Sequence, residues 1–287
     1  MTLRRTRVSL FAATAFAVGV APLLFALPAQ AADTYTYVNV GSSEGRTRLF
    51  YDGNIGISSR LDVILDETDD KFVFTLKDNI EIRPYDGCAY PDAADNTKVV
   101  CEIPKSAEAP ALAEFYLGNA TDRVLYTNNT SGENFTTFNL GVGNDYYETQ
   151  RPEAPDAIIE GGEANDTILA GTGAVVYGGH GEDNITLVGG AGTVYGGDHN
   201  DTINGGAGDD TLHGEAGDDI IYGNDGDDYI VGGTGNDQLY GGRHDDTIYG
   251  NSGDDTIFGN SGDDYISGGA GVDTISGGAG NNTIVDV

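Results

Sequence analysis

The chain has 287 residues, with 14 Lys+Arg set against 46 Asp+Glu and a formal net charge of −32. Such acidity excludes nucleic acid and anionic membrane surfaces as natural partners, because neither supplies the positive charge that would neutralise it. With 44 glycines and only 39% hydrophobic residues there is no material for one large conventional core, yet 16 Tyr, 10 Phe and strict local patterning argue equally against disorder.

Residues 1–31 read as an export signal. Arg4, Arg5 and Arg7 precede an almost wholly apolar run from Val8 to Leu27, and Ala29-Gln30-Ala31 gives a small-x-small cleavage pattern. An uncleaved membrane anchor is the alternative, weakened by Gly19, Pro22 and Pro28. Cleavage would take the net charge from −32 to −35, since three arginines and no acid are lost. Cys88 and Cys101 are the only cysteines, so one pairing is possible; outside the cytosol it is expected to be an oxidised, structural disulfide.

The mature chain reads as all-β. Residues 32–150 form a β-rich N-terminal region of short alternating runs: Tyr35–Val40, Arg46–Tyr51, Arg60–Leu65, Lys71–Leu76, Ile80–Arg83, Lys98–Ile103 and Arg123–Tyr126. Gly53-Asn54, Asp69-Asp70 and Asp78-Asn79 fall between runs as turns. Lys105–Phe115 is the one helical suggestion, interrupted by Pro110. Residues 151–177 are degenerate repeats, among them Gly161 to Leu169, one residue out of phase with the repeats downstream. Leu140 to Asp145 and Leu117 to Val124 look like earlier, eroded copies. The N-terminal strands therefore either cap a solenoid or form a separate domain.

From residue 178 to the end a nonapeptide takes over, with twelve copies in a fixed frame from Gly178 to Val285. Position eight is aliphatic in all twelve, from Ile185 and Val194 to Ile275 and Ile284. Position six is aspartate in ten: Asp183, Asp201, Asp210, Asp219, Asp228, Asp237, Asp246, Asp255, Asp264 and Asp273, with Gly192 and Asn282 as exceptions. Position one is glycine in eleven and position four in ten, where His199 and His244 depart and put the turn geometry of their repeats in doubt. A period held this long is the signature of a solenoid.

One aliphatic side chain per nine residues makes a thin core, and the acids oppose it. Residues 178–287 hold 19 Asp and 2 Glu against the single base Arg243. Coils stacked about 4.8 Å apart would align equivalent aspartates, each neighbouring pair repelling by about 0.9 kcal/mol even at the dielectric of water. A hard dication between rungs reverses that sign. Oxygen-only ligands in mobile, glycine-rich turns favour Ca²⁺ over Mg²⁺ or Zn²⁺.

The repeat resembles the G-G-x-G-x-D-x-U-x pattern of RTX (repeats-in-toxin, haemolysin-type) calcium-binding proteins. That resemblance implies a parallel β-roll (a β-solenoid) with two nonapeptides per coil and Ca²⁺ held between turns on the same side. One side would pair Asp183–Asp201, Asp201–Asp219, Asp219–Asp237, Asp237–Asp255 and Asp255–Asp273; the other would pair Asp210–Asp228, Asp228–Asp246 and Asp246–Asp264. About eight ions, and up to ten, are implied on these ten aspartates. The N-terminal part is similar, less specifically, to that of secreted actinobacterial RTX-repeat proteins.

The other candidate groups have plainer readings. His180, His199, His213 and His244 lie in the repeats, where solvent-facing turns explain them better than zinc. The second acids of the Asp-Asp pairs, such as Asp209 and Asp218, read as a solvating outer face, and Asp66 to Asp70 as a strand-connecting turn. Tyr222, Tyr240, Tyr249 and Phe258 recur at position nine as an aromatic stripe. No H-E-x-x-H or phosphate-loop motif occurs. The expected protein is thus a secreted, extracellular calcium-binding module of structural or interaction type rather than an enzyme. The alternatives are an adhesin that binds extracellular polysaccharide or a cell-surface component, and a carboxylate-dependent polysaccharide enzyme using residues 33–150. No nucleic acid and no stable membrane insertion are expected; end-to-end self-association is a further expectation, since only Asp286 and Val287 follow the last repeat.

Overall fold

A nine-residue period closes a coil when every second repeat returns to the same side, and the strand register has that form. The computed structural model describes residues 35–43, 46–53, 56–105, 112–130 and 135–285. The export signal at 1–31, Asp286 and Val287 lie outside them. The described residues belong to one compact unit, Asp33–Val287.

Eleven described strands lie within residues 32–150: β1 (Tyr35–Ser43), β2 (Arg46–Asp52), β3 (Arg60–Glu67), β4 (Lys71–Lys77), β5 (Glu81–Pro84), β6 (Cys88–Ala89), β7 (Lys98–Pro104), β8 (Leu112–Tyr116), β9 (Arg123–Asn128), β10 (Phe135–Val142) and β11 (Tyr146–Thr149). Every run expected from alternation is a strand. The helical suggestion at Lys105–Phe115 is corrected: residues 106–111 lie outside the described set, and Leu112–Tyr116 is a strand lying parallel between β2 and β10.

Two sheets of 13 strands face each other across the core. Beyond β11 successive strands alternate between them, and each pairs in parallel with the strand one full coil away, as in Ile185↔Ile203 and Leu212↔Ile230. This is a parallel β-solenoid. Equivalent side chains stack on one another because the register advances by a whole number of repeats, and a one-residue slip would turn every aliphatic outward.

The sheets do not stop where the nonapeptides begin. β8 and β10 extend the first sheet to β2, and β9 and β11 extend the second to β3. Antiparallel strands then continue each sheet: β1 on β2, and β4 and β7 beyond β3. Short β6 joins the edge of β7, where Cys88 lies directly opposite Cys101 and the two form a disulfide.

The core changes character along the axis. In the N-terminal coils it is aromatic: Tyr51, Phe74, Phe115, Tyr126, Phe138 and Tyr147 are fully buried, with Phe115 stacked on Phe138 at 4.7 Å. Its polar handles are partnered, Tyr51 donating to Asp78 and Tyr147 to Asp156, both at 2.5 Å. In the repeats the core thins to one aliphatic per strand, buried from Ile185 through Ile266. The inward expectation fails only for the last two: Ile275 is half-buried and Ile284 is 47% exposed, because among the described residues no further coil covers them.

Candidate metal centre

Position six points into the coil. Nine of the ten expected aspartates, Asp183 through Asp264, are no more than 2% exposed; Asp273 is half-buried. Each accepts through Oδ1 a hydrogen bond from the backbone N–H of the equivalent residue one coil earlier. On one side this runs Asp183 to Asp201, Asp201 to Asp219, Asp219 to Asp237, Asp237 to Asp255 and Asp255 to Asp273, at 2.8–2.9 Å. On the other it runs Gly192 to Asp210, then Asp228, Asp246 and Asp264, and ends on Asn282, whose amide oxygen accepts from Asp264 at 2.8 Å. The two ladders thus join, by N–H to Oδ1 bonds, the same eight pairs of aspartates that the resemblance implied as calcium partners.

The other oxygen is the notable one. Oδ2 of all ten aspartates is buried and has no hydrogen-bond partner. A carboxylate oxygen left in this condition is costly, and burial raises the nine acids from Asp183 to Asp264 above the ordinary carboxylate range. Asp201 reaches about 8, Asp210, Asp237 and Asp246 about 7, and Asp183, Asp219 and Asp228 about 6. The N–H donated to Oδ1 opposes the shift throughout, while neighbouring rungs add to it at Asp201, Asp210, Asp237 and Asp246.

Position one shows where these oxygens are aimed. A Cβ placed on Gly205 would lie 2.6 Å from Asp210 Oδ2 and 2.9 Å from the carbonyl oxygen of Gly223, one coil on. The same pair of oxygens converges at Gly161, Gly178, Gly196, Gly214, Gly223, Gly232, Gly241, Gly250 and Gly259. Each such point is a cradle that only the absence of a side chain leaves open, lined by one carboxylate and one carbonyl oxygen. Oxygen donors of this kind suit a hard dication, and calcium's variable coordination tolerates a mixed carboxylate–carbonyl set. Among the described residues no group of three or more His, Cys, Asp or Glu side chains converges.

The turns hold their shape at the departures from the consensus. His199 and His244 adopt φ of 85° and 82° in place of glycine, and the turn survives: His199 N–H still bonds the carbonyl of Ala216 at 2.6 Å. A side chain in this left-handed region carries strain. His180, His199 and His244 are exposed, as expected, with His180 Nδ1 2.8 Å from Asp198. His213 differs, being stacked on Tyr195 at 4.9 Å on an outer sheet face.

Position five makes a second ladder that sequence reasoning missed. These side chains are exposed, as expected of a solvating face, but they also accept in the opposite direction: Asp209 from the N–H of Asp227 at 2.9 Å, and Asp245 from that of Asp263 at 2.7 Å. Each turn is therefore tied forward, to the next coil, by its outer acid and backward, to the preceding coil, by its inner one. Of the acids at 66–70, expected to form a turn, Asp66 and Glu67 end β3 and only Asp69 and Asp70 lie in the β3–β4 turn, with Thr68 Oγ1 donating to Asp70 and Glu67 paired to Lys105 at 2.7 Å.

The inner ladder also reaches further upstream than the nonapeptides do. Ser59 N–H bonds Asp122, and the chain of N–H to Oδ1 bonds continues from Asp122 to Asp145, Asp145 to Asp166 and Asp166 to Asp183. These three were legible only as the sixth residues of the eroded copies.

A model of four RTX calcium-binding nonapeptide repeats matches residues 195–230, 222–257 and 249–284. No curated protein matches the chain. Periodicity, buried aspartate ladders and this match converge: the chain carries RTX calcium-binding nonapeptide repeats, wound as a β-solenoid.

Proposed function

We propose that the protein is an exported calcium-binding structural module whose repeats fold when Ca²⁺ enters the aspartate ladders. The observation that supports this best is the row of buried Oδ2 atoms without partners, each beside an open position-one glycine. Asp183, Asp201, Asp210, Asp219, Asp228, Asp237, Asp246, Asp255, Asp264 and Asp273 are the proposed ligands, completed by carbonyl oxygens of the glycine turns, for about eight and up to ten ions. Bound calcium supplies positive charge between rungs that otherwise repel. The residues contribute the rest: Oδ1 fixes each turn through the N–H of the preceding coil, and Oδ2 is held dry and directed inward.

Because these oxygens converge only after the coils stack, binding and folding are coupled, and nearest-neighbour stacking makes the transition cooperative. A low-calcium compartment then keeps the repeats unfolded until export. The 1–31 signal and the Cys88–Cys101 disulfide support that destination. The protein acts without catalysis. Far-UV circular dichroism of the mature chain in chelator and then in millimolar calcium tests this: a large gain of β signal is expected, and an unchanged spectrum rejects it.

A second reading, adhesion to neutral polysaccharide, is favoured by the outer face of the first sheet. Tyr177, Tyr195, His213, Tyr229, Tyr249 and Tyr265 form a continuous run of ring contacts at 4.9–6.0 Å. From Val175 onward, positions seven and nine of that face carry no Asp, Glu, Lys or Arg. Calcium-dependent retention on a neutral cell-wall glycan, lost on Tyr249→Ala, would support it, and absence of retention would remove it.

A further inference from the structure

We infer that the cation array starts at Asp166, one coil upstream of the recognisable nonapeptides, and that Leu140 closes it on that side. The inference rests on the calcium-binding reading above and deepens it, assigning a ligand that neither the repeat pattern nor the matched residues include.

Asp166 is 1% exposed, its Oδ1 accepts from Asp145 N–H at 2.8 Å, and its Oδ2 is buried with no partner. It stands six residues into Gly161-Gly162-Glu163-Ala164-Asn165-Asp166, with Ala164 taking φ 83° where the later turns have glycine. A Cβ on Gly161 would lie 2.5 Å from Asp166 Oδ2 and would also meet the carbonyl oxygen of Gly178. These are the same two donors as at Gly205, and the turn is complete. The repeat falls out of phase because only 17 residues separate Asp166 from Asp183. The missing residue is absorbed on the opposite turn, between Ala170 and Val175, and leaves the Asp166 turn intact.

One coil earlier the carboxylate persists but the cradle does not. Asp145 is equally buried, with Oδ2 unpartnered. The register Gly141↔Gly162 places Leu140 opposite Gly161, however, and Leu140 is fully buried. Its Cβ stands where Gly161 has none, and its side chain belongs to the aromatic core. Leu117 repeats this arrangement ahead of Asp122. Asp122 and Asp145 are therefore rungs that carry the turn hydrogen bonds into the aromatic cap without a cation site.

The test is a direct count of bound calcium per chain, by equilibrium dialysis and elemental analysis of the mature protein, for wild type, Asp166→Asn, Gly161→Ala and Asp145→Asn. Asparagine preserves the Oδ1 acceptor, as Asn282 does for Asp264, and Gly161 has an ordinary φ, so alanine there contests only the space. Asp166→Asn and Gly161→Ala should each bind one ion fewer than wild type, and Asp145→Asn the same number. A wild-type count in Asp166→Asn, or an equal loss in Asp145→Asn, overturns the inference. If wild type itself binds no calcium, it is the proposed function that fails.

Discussion

Asp219→Asn should change sign between calcium and chelator. Asp219 lies mid-ladder, with Asp201 N–H bonded to its Oδ1 at 2.8 Å and its own N–H bonded to Asp237 at 2.9 Å. Asparagine keeps both bonds and removes one buried charge. The stacked rings of Tyr222 and Tyr240, 4.9 Å apart, give the coil spacing. At about that distance each neighbouring carboxylate repels by about 0.9 kcal/mol even in bulk-water dielectric. With all three carboxyls ionised, relief from Asp201 and Asp237 together is then worth about 2 kcal/mol. In calcium the same substitution removes a ligand. An ion bound with Kd near 10⁻⁴ M contributes about 1.8 kcal/mol at about 2 mM calcium, so stability should fall by that order for each ion lost. Thermal melts in calcium read the loss, at roughly 2–4 °C per kcal/mol for a unit of this size, and far-UV circular dichroism in chelator, where the repeats are largely unfolded, reads the gain as a larger residual β signal. A loss of stability in both conditions would show that the carboxylate serves only as a hydrogen-bond acceptor, and the reasoning from buried charge would be wrong.

Acid should partly replace calcium. The folded-state carboxyls at Asp201, Asp237 and Asp246 titrate at about 7 to 8, against an unfolded value near 3.8. Their protonation therefore favours the coil fully below the unfolded value, and that advantage is lost as pH rises through 7 to 8; metal-free protein should show more β signal at pH 4.5 than at pH 8, and the opposite order would contradict the burial argument. Replacing both Cys88 and Cys101 by serine should cost about 3 kcal/mol, measured by urea unfolding, to the same extent with and without calcium because the bridge lies at the β6–β7 edge away from the ladders. His199→Gly should raise the melting temperature by a few degrees, worth about 1 kcal/mol, since the strain of φ 85° is relieved; a lower melting temperature would mean that the imidazole's electrostatic interaction with Asp183 outweighs that strain.

Where one residue type recurs at a fixed place, structure was legible directly. Position eight announced the aliphatic core from Ile185 to Ile266, and position six announced both inner ladders. Legibility fell where the coil kept its shape but changed its residues. Leu112–Tyr116 reads as helical because alanine, leucine and glutamate favour helix, yet Ala113 and Phe115 both point inward once the segment is stacked between β2 and β10. Asp122 and Asp145 joined the ladder at spacings of 23 and 21 residues, because longer excursions on the far side of the coil do not disturb the turn that holds the carboxylate. Hydrogen-bond direction was not legible at all: nothing in an Asp-Asp pair says that the outer acid bonds one neighbouring coil and the inner acid the other. The position-one glycines looked like generic turn residues, although their role is to leave space between a carboxylate and a carbonyl.

Isothermal titration of the chelated mature chain with calcium chloride measures the central point most directly, namely that buried carboxylate rungs require a dication. A cooperative uptake of eight or more ions, with a heat large enough to include folding of the repeats, is the expected result. An absence of heat, with the repeats already folded in chelator, would contradict it.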